Sequence, residues 1–425
     1  MTHLGLVSAA SAAAKGFRLV CFDTDPILLG EIGKGRLPVA ELQLEALLAR
    51  NKERLTFTAI QTDLAACDVI YVAADVPTDD QGKSDLGPIN KLLDIVSEAA
   101  SKHAAIVILS QVPPGFTRAA KRNGGPVYYQ VETLIYGQAV ERAMRPERHI
   151  VGCADPGKPL HRDYADFLGA DGCPVLPMRY ESAELAKISI NMCLAASIST
   201  ANTLAELCEK IGADWSEIVP ALRLDRRIGA YSYLSPGLGI AGGNLERDLA
   251  TVCNLAEKHR TDAGVVRAWI ANSGHRKAWA ARTIRSVLLD AHSDATIAIW
   301  GLAYKENTRS VKNSPSLATI ALLPGARLKL HDPLVPASAA MHTGAEEARE
   351  PLDAASDADA LMVLTPWPQY RDIAPRDIAR AMRGRIVLDP YGVLDHGAAA
   401  AAGLDLFTLG RRPSRAAGVS QCSST

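Results

Sequence analysis

The residues best suited to chemistry lie in one short stretch that holds four glycines. Glycine lets a backbone approach a bound group without a side chain in the way, and it adopts positive φ at no steric cost. We expect Asn244 to cap a following helix, with Glu246 and Asp248 in its first turn, where carboxylates are favoured. Such a loop is typical of a binding site for a phosphate or a reacting oxyanion, although a purely structural turn has the same composition. The stretch reads Gly237-Leu238-Gly239-Ile240-Ala241-Gly242-Gly243-Asn244-Leu245-Glu246-Arg247-Asp248.

A lysine and an asparagine, Lys187 and Asn191, lie four residues apart in a segment of helical pattern and therefore share one helix face. A lysine charge and an amide aimed at one point would hold a developing alkoxide, with the amide fixing a water or a hydroxyl. A solvated helix face is the alternative interpretation of the same spacing. Glu132, within residues 128–137, is a further candidate acid or base.

The elements that must position these residues begin with a helix, a strand and an acid. Residues 4–14 predict a helix rich in small residues, residues 18–22 predict a strand, and Asp23 follows directly. This order forms the second half of a dinucleotide-binding βαβ unit, with Asp23 where a ribose 2′-hydroxyl is held and Gly5 as the last fingerprint glycine. The alternative is that Asp23 merely ends a strand at a turn.

The first half of that unit, a strand and an earlier glycine, would lie before Met1. Such a strand sits centrally in a doubly wound sheet, so leaving it out exposes two unpaired ladders of backbone groups. We therefore expect the natural reading frame to begin upstream of Met1.

Strand and helix patterns alternate again after this unit. Turn residues at strand ends, at Val76-Pro77 and over residues 110–115, mark places where ligands bind in an open α/β sheet. Residues 249–289 predict helices with one break near Ser273-Gly274. The pattern predicts an α/β fold with two doubly wound Rossmann-like domains joined by a central helical region. The predicted strands are 68–73, 105–109, 296–300, 327–330, 360–364 and 385–388, and the predicted helices are 89–102, 181–211 and one from Ser314.

Composition excludes several classes of function. A net charge of -1 and 5% aromatic residues argue against a nucleic-acid partner or a membrane surface. None of the eight cysteines has a neighbour at C-x-x-C spacing, which argues against a zinc ribbon or other metal site and favours reduced thiols in the cytoplasm. Residues 4–14 lack the basic flank of a signal peptide, and we expect no apolar run long enough to span a membrane.

With these segments in place, the chain resembles the UDP-glucose/GDP-mannose dehydrogenase family over nearly its whole length. The matches follow one another in order, and the ordered set is far more specific than any single match. They are Leu4-Gly5-Leu6-Val7 with Asp23; Val76-Pro77; Ser110, Val112-Pro113 and Gly115; Glu132; Lys187 with Asn191; residues 225–229; the loop 237–248; residues 301–305; Asn307-Thr308; Ser314-Pro315; Asp332-Pro333; and Thr365 with Trp367.

The resemblance implies NAD as the cofactor, a UDP- or GDP-linked sugar as the substrate, and a homodimer. It implies four segments: an NAD-binding domain at 1–178, a central helical dimerisation domain at 179–290, a nucleotide-sugar-binding domain at 291–412 and a loose tail at 413–425. In the family, NAD takes two hydrides in turn from C6 of the sugar. A cysteine captures the intermediate aldehyde, and the thioester is hydrolysed to a uronic acid.

Residue roles follow from the resemblance by position. Lys187 and Asn191 would stabilise the alkoxide, Asp248 would activate a water or base, and Glu132 would serve as acid/base. Lys312 stands where the family has an NAD-binding arginine. The implied cofactor-binding residues are Gly5, Asp23, Val76, Pro77, Ser110 and Lys312, and the implied substrate-binding residues are Arg227, Gly237, Gly239 and Lys305.

The chain departs from the family pattern at the position that matters most for chemistry. Aligned without a gap, the family cysteine falls on Asn244, and an amide nitrogen is not a nucleophile, so no thioester forms there. Cys253 lies nine residues further on, roughly 13 Å along a helix, and is better interpreted as a core cysteine. The other departures are Gln111 for a threonine, Glu246 and Arg247 for a proline and a lysine, and Tyr391-Gly392 near an expected arginine.

These departures remove the residue needed for covalent capture of the aldehyde. The residues for hydride transfer and alkoxide stabilisation are kept. We expect at most a two-electron oxidation of a nucleotide sugar, or an epimerisation if the hydride returns to the other face. The alternatives are a full UDP-glucose 6-dehydrogenase that uses another nucleophile or oxidises the aldehyde hydrate directly, and a catalytically inactive nucleotide-sugar-binding paralogue.

Overall fold

The computed structural model describes residues 1–77, 79, 84–120 and 124–414. The chain divides into two compact units, Met1–Ile190 and Asn191–Thr425. Most of the tail predicted at 413–425 lies outside the described residues.

The first unit is built from seven helices and seven strands among its described residues, and an eighth helix begins at its end. Several helices start with Pro or with an Asp side chain that caps free backbone N–H groups. The helices are α1 His3–Ala14, α2 Pro26–Gly33, α3 Leu44–Arg50, α4 Gly87–Ala99, α5 Phe116–Ala119, α6 Ala139–Met144, α7 Arg162–Gly169 and α8 Tyr180–Ile211. The strands are β1 Leu19–Phe22, β2 Leu55–Thr58, β3 Val69–Val72, β4 Ala105–Ile108, β5 Val127–Gln130, β6 His149–Cys153 and β7 Val175–Arg179.

The strands of this unit form two separate sheets. β1 and β2 pair in parallel as a two-stranded sheet, and the other strands form a sheet of order β3-β4-β5-β6-β7. Among the strands that the structure describes in this unit, only β5 and β6 pair antiparallel. Among the described residues β1 and β3 each have one partner strand.

Apolar residues explain why these elements form where the sequence predicted them. β4 reads Ala-Ile-Val-Ile and is buried at every position, as a strand covered on both faces requires. α4 turns Ile89, Leu93 and Val96 inward at helical spacing, where they pack with Ile70 and Val72 of β3.

The second unit contains the rest of α8, nine further helices and one six-stranded sheet among its described residues. All five strand pairs are parallel, in the order β10-β9-β8-β11-β12-β13, which confirms the predicted doubly wound arrangement. The helices are α9 Trp215–Leu224, α10 Asn244–His259, α11 Gly264–Lys277, α12 Trp279–Ile284, α13 Pro315–Ala321, α14 Pro351–Ala355, α15 Pro368–Arg371, α16 Pro375–Ala381 and α17 His396–Ala401. The strands are β8 Thr296–Trp300, β9 Arg327–His331, β10 Ala345–Glu347, β11 Ala360–Val363, β12 Ile386–Leu388 and β13 Asp405–Phe407.

The helical region corrects two expectations. The break predicted near Ser273-Gly274 is wrong, since both residues lie inside α11; the chain breaks instead at residues 260–263 and at Ala278. The expectation that no segment is long and apolar enough to span a membrane is also wrong. By length and composition alone, α8 meets both criteria. Some apolar side chains of α8 pack in the core, and others are exposed to solvent.

Candidate functional site

The glycine loop ends at the first residue of α10, one position later than expected. Gly243, with φ of 93°, is the N-cap of α10, and no side chain caps the helix. Asn244 is therefore the first helical residue and not the cap, and it is exposed. The free backbone N–H groups of this turn favour negative charge beside the Asn244 side chain.

The loop is held to α8 and α11 by hydrogen bonds to its backbone. Gly237 N donates to Asn202 Oδ1 at 2.8 Å, and Ile240 N donates to Ser273 Oγ at 2.9 Å. A Cβ added at Gly239 would lie 2.6 Å from Ser273 O, so the close approach requires glycine there. The predicted break near Ser273 is instead an anchor point for the loop.

Two of the predicted site residues pack beside this loop, together with an aromatic ring that the sequence did not single out. A Cβ built on Gly242 would lie 2.7 Å from the Tyr304 ring, and one on Gly243 would lie 3.3 Å from Lys312 Cγ. The Lys305 ammonium lies 5.7 Å from the centroid of the Tyr304 ring. Tyr304 and Lys312 thus pack against the loop, and Lys305 lies near Tyr304; the two lysines are cations suited to a phosphorylated ligand.

Replacing Gly242 by alanine is expected to destabilise the second unit by about 2–4 kcal/mol and to weaken nucleotide-sugar binding. The new methyl group has to displace Tyr304 in addition to the strain of its φ of 87°. Gly229→Ala is the matched control, because Gly229 has the same φ of 87° and nothing within 4 Å of an added Cβ. Denaturant unfolding and calorimetric titration with UDP-glucose measure both effects. Equal losses in the two variants would contradict the packing role of Gly242.

A buried carboxylate lies behind the loop. Asp248 is 1% exposed and accepts a hydrogen bond from Asn191 Nδ2 at 2.5 Å, and Arg247 Nε approaches its other oxygen at 3.3 Å. Asn191 is itself buried at 8% exposure, so the interpretation of its position as a solvated helix face is wrong. The pair joins α8 to the second turn of α10 and holds the carboxylate in one orientation.

Glu246 and its partners brace the first turn of α10. Its carboxylate binds Lys277 Nζ at 2.6 Å and also accepts from Asn313 Nδ2. The three side chains tie α10 to α11 and to the segment that follows Lys312. Glu246 thus has a structural role in the second unit.

Glu132 and Lys187 both belong to the first unit, and the charge of Lys187 acts on the Glu132 carboxyl group. Burial raises the pKa of Glu132 to about 7, while the positive charge of Lys187 and hydrogen bonds from the backbone N–H groups of Leu134 and Thr133 oppose the rise. A carboxyl group that titrates near neutral pH is suited to accept and return a proton. The role of Glu132 as acid/base stays a prediction.

Glu184 is a further residue of this region that sequence reasoning missed. It is fully buried on α8, and its carboxylate accepts from Gly115 N at 2.5 Å and from Thr117 N at 2.8 Å. It fixes the loop that follows β4 to the helix that carries Lys187. A glutamate three residues before Lys187 was the available signal, since it falls on the same helix face.

The Ser110 hydroxyl group forms its hydrogen bond within the protein. The side chain is fully buried, and Oγ donates to Ala74 O at 2.6 Å, which joins the ends of β3 and β4. Pro77 follows in the same segment, where its carbonyl accepts from Asp85 N at 2.8 Å. Cofactor contacts for Ser110, Val76 and Pro77 stay predictions.

Asp23 and Gly5 lie at the carboxyl ends of β1 and β3. The Asp23 carboxylate forms an ion pair with the Met1 ammonium group, and Thr2 Oγ1 donates to Ala73 O at 2.9 Å. A Cβ built on Gly5 would lie 3.8 Å from Ala73 O and from side-chain atoms of Met1 and Thr2, which is ordinary van der Waals contact. A carboxylate after β1 and the N-terminus of α1 are the features that bind the ribose and pyrophosphate of a dinucleotide, and the cofactor contacts of Asp23 and Gly5 stay predictions.

Arg227 is the predicted substrate residue that packs with none of these groups. Its side chain is 89% exposed and forms a two-point ion pair with Asp225, with contacts of 3.0 Å and 2.6 Å. Its role as a sugar-nucleotide contact stays a prediction.

The cysteine nearest to Asn244 along the sequence is Cys253. Cys253 packs in an apolar cluster with Ile240 and Leu249, which confirms its interpretation as a core cysteine. All seven described cysteines are free, and no group of three or more His, Cys, Asp or Glu side chains within the described ranges is placed to hold a metal ion.

Comparison with known proteins identifies the three parts of the chain separately. Residues 1–162 match the NAD binding domain of the UDP-glucose/GDP-mannose dehydrogenase family, residues 181–273 its central domain, and residues 298–396 its UDP binding domain.

Individual relatives are similar to this chain over more than nine-tenths of its length. The UDP-glucose 6-dehydrogenase of Pseudomonas aeruginosa is 30% identical over 91% of this chain and 91% of its own, and that of Bacillus subtilis is 28% identical over 96% and 91%. Among solved structures, a UDP-glucose dehydrogenase from Pyrobaculum islandicum has a TM-score of 0.81 at 26% identity, covering 93% of this chain and 96% of its own. A UDP-D-ManNAc dehydrogenase from Pyrococcus horikoshii has a TM-score of 0.82 at 21% identity, covering 96% and 97%, which supports the fold. The chain belongs to the UDP-glucose/GDP-mannose dehydrogenase family, whose members oxidise CH–OH groups of nucleotide sugars with NAD.

Proposed function

We propose that this protein catalyses one two-electron oxidation of a nucleotide sugar of the UDP-glucose type and releases a carbonyl product. The alcohol CH–OH loses a hydride to NAD and a proton to a protein base, which gives C=O, NADH and a proton. If the hydride returns to the opposite face before release, the net reaction is epimerisation.

The observation that carries the proposal is the side chain of Asn244. It stands first on α10 and is exposed, and a gap-free alignment of the loop puts the family cysteine at this position. A carboxamide cannot form the thiohemiacetal from which the second hydride leaves in the family reaction. Covalent capture of the aldehyde therefore has no nucleophile at position 244.

The other predicted site residues support the first oxidation. Asp23, Gly5 and the N-terminus of α1 would hold NAD, which supplies the hydride acceptor when bound. Glu132, with a pKa raised to about 7, accepts the proton of the hydroxyl, and the Lys187 ammonium stabilises the negative charge that develops on its oxygen. Asn191 and Asp248, buried and hydrogen-bonded to each other, orient a water or a second hydroxyl.

The nucleotide sugar is assigned to the second unit. Residues 298–396 match the UDP binding domain, and Lys305 and Lys312 lie next to the glycine loop. We propose that the two lysines neutralise the diphosphate and that Arg227 adds a contact from its exposed position.

A product assay tests the proposal. Purified protein is incubated with UDP-glucose and NAD, NADH is measured by absorbance, and the sugar is identified by mass spectrometry. We expect one NADH for each aldehyde or ketone, or an epimer without net NADH. Two NADH for each uronic acid would establish the full dehydrogenase, and binding of UDP-glucose without any turnover would establish an inactive paralogue.

We also propose that the protein is a cytoplasmic homodimer that associates through α8 and α9. Both helices carry large apolar side chains with high exposure, including Leu207 at 50%, Ile211 at 64% and Leu224 at 85%. Apolar patches of this kind mark protein–protein contacts.

A double substitution of Leu207→Glu and Ile211→Glu is expected to shift the protein from dimer to monomer, because charges would be buried at the contact. Light scattering coupled to gel filtration measures the mass. Leu322→Glu, at 43% exposure on a different surface, serves as the control. A wild-type protein that elutes as a monomer would overturn this assignment.

A further inference from the structure

Glu246 stands where the family resemblance leads us to expect a proline, and the proposed reaction gives it no role. Both oxygens of its carboxylate are engaged: Oε1 accepts from Lys277 Nζ at 2.6 Å, and Oε2 accepts from Asn313 Nδ2. The side chains of Glu246 and Lys277 are 27% and 22% exposed. A fully exposed ion pair orders little, whereas a shielded carboxylate bound through both oxygens has one favoured orientation.

The Lys277 contact reaches the first half of the glycine loop. Lys277 is the last residue of α11, and a Cβ built on Gly239 would lie 3.0 Å from its Cγ. The aliphatic stem of the lysine therefore covers the loop backbone at Gly239, while its ammonium group binds Glu246. Glu246 thus fixes the side chain that lies against this part of the loop.

The Asn313 contact reaches the second half of the loop. Asn313 has a left-handed backbone with φ of 50° and follows Lys312 directly. Lys312 O accepts a hydrogen bond from Gly242 N at 3.2 Å, and Lys312 Cγ would lie 3.3 Å from a Cβ built on Gly243. The amide of Asn313 therefore ties Glu246 to the backbone that holds Gly242.

These contacts form a closed chain around the glycine loop, and all of it lies in the second unit. The chain starts at the loop backbone and returns to it, and its members are Lys277, Glu246, Asn313 and Lys312. Glu246 joins the two halves. A loop that is held in one conformation before its ligand arrives loses less conformational freedom on binding, so the ligand binds more tightly.

We propose that Glu246 is a positioning residue for the nucleotide sugar: its carboxylate holds the glycine loop and Lys312 in the arrangement that binds the diphosphate. This role rests on the proposed assignment of the nucleotide sugar to the second unit. Its sign is opposite to that of a simple charge effect. A carboxylate beside a diphosphate repels it, so charge alone predicts that loss of Glu246 strengthens binding, whereas positioning predicts that it weakens binding.

Calorimetric titration of the complete protein with UDP, without NAD, measures this sign. We expect Glu246→Ala to weaken UDP binding by about tenfold or more, because Lys277 and Asn313 lose their common partner. Glu257→Ala removes an exposed carboxylate from the same helix and is expected to change the affinity by less than about twofold. Unchanged or tighter binding of UDP to Glu246→Ala would overturn the proposal.

Thermal unfolding of each variant without ligand confirms that it is folded. If Glu246→Ala does not fold, Glu246→Gln replaces it, since glutamine keeps one acceptor oxygen but lacks the charge that binds Lys277. We expect this variant to bind UDP about threefold more weakly, and tighter binding would again overturn the proposal.

A double variant tests whether the two partners act through one contact. Lys277→Met keeps an apolar stem beside Gly239 and removes the ammonium group. Adding it to Glu246→Ala is expected to weaken UDP binding by no more than about twofold further, because the contact is already lost. A combined loss equal to the product of the two single losses would overturn the shared role.

Turnover of UDP-glucose separates positioning from catalysis. We expect Glu246→Ala to raise KM by about tenfold or more and to leave kcat within about threefold, because Glu246 orders the binding loop and not the reacting atoms. A lower kcat at unchanged KM would overturn the proposal. UDP binding that weakens in a protein without turnover would contradict only the proposed function, whereas turnover as proposed with unchanged UDP affinity would contradict only the role of Glu246.

Discussion

Asn244→Cys is expected to change the stoichiometry of the reaction from one NADH to two for each sugar consumed, with uronic acid rising about tenfold or more. The new thiol would stand at the first residue of α10, where no side chain caps the helix and the residue is exposed. A helix N-terminus lowers the pKa of a cysteine and so favours the nucleophilic thiolate. The measurement is NADH by absorbance together with uronic acid by mass spectrometry.

Asn244→Ser is the matched control for this gain. A serine has similar size and sits at the same helix N-terminus, but its hydroxyl stays protonated without an adjacent base, so we expect one NADH as in the natural sequence. If the cysteine variant gives the same product as the natural protein, position 244 does not limit the chemistry. If the natural protein already gives two NADH for each uronic acid, the proposed function is wrong.

Glu132→Gln is expected to lower the rate of NADH formation by about 10²–10⁴-fold and to remove its dependence on pH near neutrality. In the natural protein the rate should rise with pH and level off above about 7, because only the ionised carboxylate accepts a proton. The pH profile of kcat/KM measures both effects. Glu181→Gln is the control, since Arg118 holds the pKa of that exposed carboxyl at about 2.

The same group predicts how stability depends on pH. The folded pKa of Glu132, about 7, lies above its value of 4.5 in an unfolded chain, so the folded state binds more protons between these values. The free energy of unfolding should therefore fall by roughly 3 kcal/mol as pH rises from about 4.5 to above 7. Glu132→Gln should flatten this fall in denaturant titrations. A profile unchanged by the substitution would contradict burial as the cause of the raised pKa.

Much of the fold followed from local patterns along the chain. The strands over residues 105–109 and 296–300 and the long helix over 181–211 were predicted within a residue or two at each end. Their apolar runs or helical periods extend over enough residues to outweigh local alternatives. Shorter or more polar elements were not predicted, among them β2, β10 and β13.

The candidate site was predicted by residue type more than by environment. Lys187, Asn191, Asp248 and Glu132 were named, yet the sequence allowed a solvated face for the α8 pair. Asn191 meets Asp248 across 57 positions of sequence, and that hydrogen bond has no local signature. Glu184 was missed for the same reason, since its partners Gly115 and Thr117 lie nearly 70 residues away.

The sequence by itself determined which elements form, the presence of an amide where a thiol was expected, and the family to which the chain belongs. These properties depend on residue identity and on spacing within one element. Only the tertiary structure decided that Asn191 and Asp248 are buried together, that Glu132 has a pKa near neutrality, and that Glu246 contacts both Lys277 and Asn313. Burial and side-chain pairing arise from contacts between distant parts of the chain, and solvent exclusion by those contacts sets the energy of a charge or a hydrogen bond.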